Sequence, residues 1–352
     1  MRTVDADAHV IDIPQTWDYL EGPSRRYRPV PVTTTGGEPV PGRSQRQDQF
    51  WAIDGRLVPR ERNVGIDTTT PEAREMRDVE KRLAHMDELA IDIQVLYPSL
   101  FLRPLSRRPD VERALVGSYN RWLADIWRKG SGRLRWIALA PLQSLSDPSI
   151  VRDEISVAKS HGACGVFMCG FACEREAWDP YFEPLYAMAQ ELDLPICFHA
   201  GNDSYAVHDF FEKGDGLAKF KFPVISAFHS LLLQGVPERF PDLRWGFIEA
   251  GCGWIPYVLS ELERRFRRRG RRFYENPLGD NNYWVACQVT EDLDYIVRWA
   301  GDDRLVVGTD YGHHDTSTEI EAMRLLRDQK KINSEVMDKI LGANASTLYG
   351  LG

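Results

Sequence analysis

The chain has 352 residues, 43% of them hydrophobic and 27% charged, an ordinary balance for a globular enzyme. Its formal net charge of -8 argues against nucleic acid as a partner, and no run of about 18 apolar residues is present to form a membrane span. The N-terminus lacks a signal-peptide pattern and the six cysteines form no CxxC pair, so reduced, mostly buried thiols in a cytoplasmic protein are expected.

Short apolar or β-branched runs recur along the chain at 3–10, 92–97, 134–141, 165–168, 195–199, 244–249, 283–289 and 304–308. Stretches with helical spacing lie between most of them, at 72–89, 111–127, 147–161, 181–192 and 224–240. Strands alternating with helices predict parallel βαβ units, and about eight such units predict a closed (β/α)8 barrel rather than an open sheet. One domain spanning 1–352 is expected, interrupted by two insertions. The first, about 18–71, is rich in Pro, Gly, Thr and charge, and holds a hairpin-like FWAIDGRLV with its turn at Asp54-Gly55. It is expected to fold over the barrel mouth. The second, about 202–222, follows the fifth strand and is a candidate substrate wall or a solvated loop. The basic run 264–272 (RRFRRRGRR) reads as a solvated helix end or a salt-bridge surface.

Several of these strands close on metal-ligand residue types. VDADAHV carries Asp7 and His9, LPICFHAG carries His199, and RLVVGTDYG carries Asp310. The carboxyl ends of parallel barrel strands are where chemistry gathers, and imidazole with carboxylate suits divalent zinc, manganese or iron. Asp7 and His9 are two apart, so on a strand both side chains leave one face as a chelating pair.

The ordered strings DADAHV (5–10), HMDELAIDIQVLYPS (85–99), SYNRWLADIW (118–127) and GRLRWIALAPLQ (132–143) resemble amidohydrolase-related family 2. So do DPYFEPLYAMAQELDLPICFHAG (179–201), GVPERFPDLRWGFIEAGCGWIP (235–256), RLVVGTDYGHHD (304–315) and ILGANASTLYGL (340–351). This is the aminocarboxymuconate-semialdehyde decarboxylase-like branch of the amidohydrolase superfamily. The resemblance implies a (β/α)8 barrel with one divalent metal, most often zinc. It implies Asp7 and His9 as the first-strand ligands, His199 as the fifth and Asp310 as the eighth. The fourth strand, GACGVFMCG, lacks the lysine that carries a bridging carbamate in two-metal relatives.

The chain departs from the decarboxylases at the sixth strand, where RWGFIEAG ends in Glu249 instead of a catalytic histidine. Glu249 reads as a general acid or base, a metal ligand, or an acid that orients a histidine. His229, and His313 of the His313–His314 pair, are further catalytic candidates, whereas His85 and His161 read as structural. Asp310 is expected to serve as base as well as ligand. The expected function is a metal-dependent hydrolase or carboxy-lyase acting on a small carboxylated or carbonyl-bearing molecule. Two alternatives stand beside it. One is a dinuclear iron or manganese oxygenase, its second ion held by Glu249, His229 or His313; the other is a non-catalytic barrel paired with an active paralogue. Oligomers, of this chain or with a paralogue, follow from the family's habits.

Overall fold

The computed structural model describes residues 2–33, 49–60, 64–211, 216–329 and 332–352. Eight strands form one parallel sheet in chain order. They are β1 (Val4–Val10), β2 (Ile93–Pro98), β3 (Leu134–Ala138), β4 (Ala163–Cys169), β5 (Ile196–His199), β6 (Trp245–Ile248), β7 (Tyr283–Cys287) and β8 (Leu305–Val307). All eight are buried along their whole length apart from Arg135, as parallel strands covered by helices must be. Each falls on one of the runs that the sequence predicts.

The covering layer is α1 (Val79–Glu88), α2 (Pro109–Lys129), α3 (Pro148–Ser160), α4 (Glu183–Glu191), α5 (Phe222–Leu233), α6 (Ile255–Arg268) and α7 (Leu293–Ala300), then α8 (Ala322–Asp328) and α9 (Asn344–Tyr349). Local chemistry sets their ends. Asp78 caps α1 by accepting the Lys81 N–H, and Pro148 starts α3 with Asp147 as its cap. The expected helix 224–240 is broken instead at Gly235, which sits at φ +65° between α5 and a short turn Val236–Arg239.

The barrel closes between its first and last strands. Ala8 and Tyr311 form a parallel bridge, the His9 N–H donates to Tyr311 O (2.8 Å) and the Asp310 N–H to Asp7 O (2.9 Å). Because β8 has only three residues, a side chain completes the seam. Asp5 accepts from the Thr309 N–H (2.9 Å), the Thr309 hydroxyl (2.6 Å) and the Gln94 amide (2.9 Å). Pairing of β1 with β2 slips by one residue between Asp5 and Ala8. Such a bulge re-aims side chains; here Asp5 serves the seam while Asp7 turns to the opposite wall, toward His199. At Gly308 a Cβ would lie 2.3 Å from that of Asp7, so only glycine lets β8 approach this closely.

The first insertion forms an antiparallel sheet of Val30–Thr33, Gln49–Ile53 and Arg56–Pro59. Ile53 pairs with Arg56 across the predicted Asp54-Gly55 turn, both turn residues at positive φ (45° and 78°). A satellite core of Trp17, Trp51, Ile53, Val58, Leu105 and Leu115 anchors it. Residues 34–48 and 61–63 of this insertion, and 212–215 of the second, lie outside the described residues. The basic run ends α6 in ion pairs within the chain, Arg264 and Arg265 with Glu261 (2.7 and 2.8 Å), Arg267 with Glu263 (3.0 Å) and Arg271 with Glu238 (2.7 Å). No disulfide occurs among the described residues, and no helix among them is long and apolar enough to cross a membrane.

Candidate metal centre at the barrel mouth

Four of the eight strand ends, those of β1, β5, β6 and β8, bring polar side chains together. Asp7, His9, His199 and Glu249 are all buried, and their ligand atoms lie within 4.8 Å of one another. His199 Nε2 is 3.1 Å from Asp7 Oδ1 and 3.3 Å from Glu249 Oε2; His9 Nε2 is 3.4 Å from Asp7 Oδ1. The tautomers follow from the neighbours. His9 Nδ1 lies 3.1 Å from Pro98 O and His199 Nδ1 lies 2.9 Å from Ala200 O; a carbonyl only accepts, so both Nδ1 atoms carry the proton. Both Nε2 atoms are then lone pairs aimed at carboxylate oxygens. His9 Nε2 and Glu249 Oε2 are buried without any hydrogen-bond partner. Acceptors converging on acceptors lack a cation, and two imidazoles with two carboxylates are a set that a divalent ion takes.

Electrostatics agree. Burial, followed by the charge of His313, pushes His9 down to about 3, leaving it neutral and fit to coordinate. Glu249 is pushed well up, first by burial and then by Asp310, Asp315 and Asp7. Such crowding of carboxylates is what a bound cation relieves.

Asp310 belongs to a neighbouring group with His9 and His313. Its Oδ2 accepts the Thr318 hydroxyl (2.6 Å), and its Oδ1 lies 2.8 Å from His313 Nδ1 and 3.5 Å from His9 Nε2. Burial lifts its carboxyl to about 6. Ser99 fixes His313: its hydroxyl donates to Val10 O (2.8 Å) and therefore accepts from His313 Nε2–H (2.8 Å). Burial opposes a charge on His313, but the Asp310 carboxylate outweighs it and raises the imidazole above its ordinary value.

Two strand-end carboxylates, Glu249 (φ 64°) and Asp310 (φ 51°), adopt the left-handed backbone region. Non-glycine residues there cost energy and cluster at functional sites. The loop after Glu249 is held by Glu291. Its Oε1 accepts the N–H groups of Cys252 (2.8 Å) and Gly253 (2.7 Å), and its Oε2 accepts those of Gln288 (2.7 Å) and the Cys252 thiol (3.0 Å).

Of the expected site residues, the structure brings together Asp7, His9, His199, Glu249, Asp310 and His313. His229 is not among them. Phe228 takes the sheet-facing side of α5, packing on Phe247 of β6 at 5.1 Å. The next residue is turned by about 100°; His229 is half-buried near Arg265 and Glu261 on α6. His314 is exposed while His313 is buried, since adjacent side chains diverge. His85 and His161 pair with Tyr311 (2.8 Å) and Val157 O (2.9 Å). Sequence reasoning missed Ser99, Asp315 and Glu291. Asp315 joins Glu249 and Asp310 in a third acidic group; its signal was the polar string GHHD after Asp310.

A cavity of about 680 Å³, open in part to solvent, lies above the cluster, with Glu249, His313 and Asp315 in its wall. The first insertion adds Trp51, Pro59 and Arg60 to that wall, and the second adds Phe220. Arg60 Nε is buried without a hydrogen-bond partner. Asp12 also lines the cavity; its Oδ2 accepts the Leu100 N–H (3.1 Å), whereas its Oδ1 is buried and unpartnered. Burial pushes Asp12 up from 3.8 to about 7. The folded protein thus keeps this proton where the unfolded chain has lost it, and the linked stability disappears as pH rises through about 7. The melting temperature of metal-free protein should therefore drop between about pH 5 and about pH 8 by more in the wild type than in Asp12→Asn. Equal drops would mean that Asp12 is ionised in the fold.

Fold and site define a (β/α)8 barrel enzyme with a carboxylate–imidazole centre at the carboxyl ends of its strands. The sequence model of the amidohydrolase family matches residues 4–351, and the chain belongs to that family of metal-dependent enzymes. No curated protein matches the chain. Solved structures do. An amidohydrolase from Mycobacterium avium subsp. paratuberculosis is 19% identical, covering 100% of this chain and 99% of its own, with a TM-score of 0.77. A 5-carboxyvanillate decarboxylase from Novosphingobium aromaticivorans, complexed with manganese and 4-hydroxy-3-methoxy-5-nitrobenzoic acid, is 20% identical over 81% of this chain and 86% of its own (TM-score 0.65). A 2,6-dihydroxybenzoate decarboxylase from Rhizobium is 16% identical over 100% and 99% (TM-score 0.66). At these identities the likeness is one of fold.

Proposed function

We propose that this protein is a metal-dependent carboxy-lyase or hydrolase for a small carboxylated substrate, with decarboxylation the favoured reaction. The observation that carries this reading is the convergence of two buried, partnerless acceptors, His9 Nε2 and Glu249 Oε2, with Glu249 and Arg60 both in the wall of the adjoining cavity. Asp7, His9, His199 and Glu249 are the proposed ligands. When bound, a divalent ion supplies Lewis acidity to a chelated substrate or to water. Arg60, with one N–H unsatisfied, is suited to a substrate carboxylate. His313 and Asp310 share a proton across 2.8 Å and are suited to pass it to carbon as carbon dioxide leaves, or to take it from water in hydrolysis. The decarboxylases of this fold, one of them binding manganese, support the choice. Zinc and manganese both suit the donor set. The same proposal carries the cytoplasmic, oligomeric enzyme expected from the sequence.

A second reading rests on the third acidic group. Ligand atoms of Glu249, Asp310 and Asp315 also lie within 4.8 Å of one another, so a second cation in this group, with Glu249 common to both groups, would fit a dinuclear iron or manganese oxygenase. Metal content per chain, with carbon dioxide release from hydroxylated aromatic acids, separates the readings. About one zinc or manganese, with release lost on chelation and restored by that metal, is the expected result. About two iron or manganese ions, with oxygen uptake and no release, would replace the first reading by the second.

A further inference from the structure

Beside the metal-centre cavity lies a second hollow of about 550 Å³, also open in part to solvent, and Arg103 lines both. The turn Leu100–Leu102 after β2 separates them, with Leu100 and Leu102 facing the first and Phe101 the second. The second chamber is separated from His199 by the side chains of the adjoining strand. Phe167 of β4 forms part of its wall and packs at 6.1 Å on the His199 ring, and Cys169, also in the wall, pairs in register with His199. Its remaining lining is largely aliphatic, from Leu115 and Val116 of α2 and Leu139, Ala140 and Leu142 after β3. Polar groups, Ser106, Gln143 and Asp203, are shared with a third, more open hollow.

An apolar void beside a buried core lowers stability. A larger side chain at Ala140, which is 6% exposed, would fill it. Burial also disfavours charge on the two carboxyls of the same wall, raising Glu112 well above its usual range and Asp203 to about 7.

We propose that the two cavities form one bipartite binding site, in which the metal centre takes the carboxyl end of an amphipathic acid and the chamber past Arg103 takes its apolar portion. This deepens the reading of the centre as a site for carboxylated substrates and rests on it.

The probes are the linear acids butanoate, hexanoate, octanoate and decanoate, titrated calorimetrically into manganese-loaded and into metal-free protein. Affinity is expected to rise roughly fourfold per added methylene, the increment of burying one CH₂ group. Ala140→Phe, or Val116→Phe should the first fail to fold, is expected to remove the rise beyond hexanoate and to leave butanoate unchanged. A flat wild-type series overturns the proposal, as does a folded variant that keeps the wild-type slope. The slope reports the chamber and the manganese dependence of butanoate binding reports the centre. A protein that binds no manganese but keeps a chamber-dependent slope would therefore overturn the metal reading and the bipartite site with it, leaving the chamber as an apolar binding site alone.

Discussion

His199→Ala will purify with little or no divalent metal and will be inactive. Three features of the site make this the largest single effect. His199 is fully buried, its Nδ1 proton is committed to Ala200 O, and its Nε2 lone pair stands within 3.3 Å of both Asp7 and Glu249. Neighbours that merely orient a ligand are worth 10–100-fold in metal affinity, so loss of the ligand itself should cost more than about 100-fold. Plasma mass spectrometry after dialysis at fixed free manganese measures it. A variant with wild-type metal content would mean that the centre lies elsewhere.

Asp310→Asn should behave differently, keeping about one metal per chain while turnover falls by about 10²–10⁴-fold, the range for loss of a general acid or base. The structure groups Glu249, not Asp310, with Asp7, His9 and His199, and sets Asp310 against His313. Asparagine is a sparing substitution here. It is nearly isosteric, and Asn tolerates the left-handed backbone (φ 51°) that Asp310 adopts, so the loop to His313 should persist. It removes the carboxylate that raises His313 and shares its proton. Metal loss in this variant would return the fourth ligand position to Asp310, as the strand-end pattern alone implies.

The strand ends were legible because parallel barrel strands are short apolar runs, and a polar residue closing such a run stands out. Asp7, His9, His199 and Asp310 were singled out this way, and the structure brings them close together; the Asp54-Gly55 hairpin was read from its turn chemistry. Glu249 was visible as a departure at the sixth strand, with metal ligation one of three roles left open, but its place beside Asp7, His9 and His199 was not. That depends on a left-handed residue whose loop is anchored by Glu291, some 40 positions later, and no local pattern encodes such a contact. His229 and His313 looked alike as isolated histidines. Helix phase turned the first toward α6, while the tight Asp310–His313 turn brought the second back to the centre.

The sequence by itself determined the barrel, its eight strands in order, and three of the four residues grouped around the centre, because apolar periodicity and strand-end chemistry are local properties. Only the tertiary structure decided which carboxylate completes the group, which histidine shares a proton, and how Ser99, Thr318 and Glu291 hold them. It also decided where the cavities lie. Those outcomes depend on distances between side chains far apart in the chain, set by a one-residue bulge, two left-handed backbones and the closure of β8 on β1.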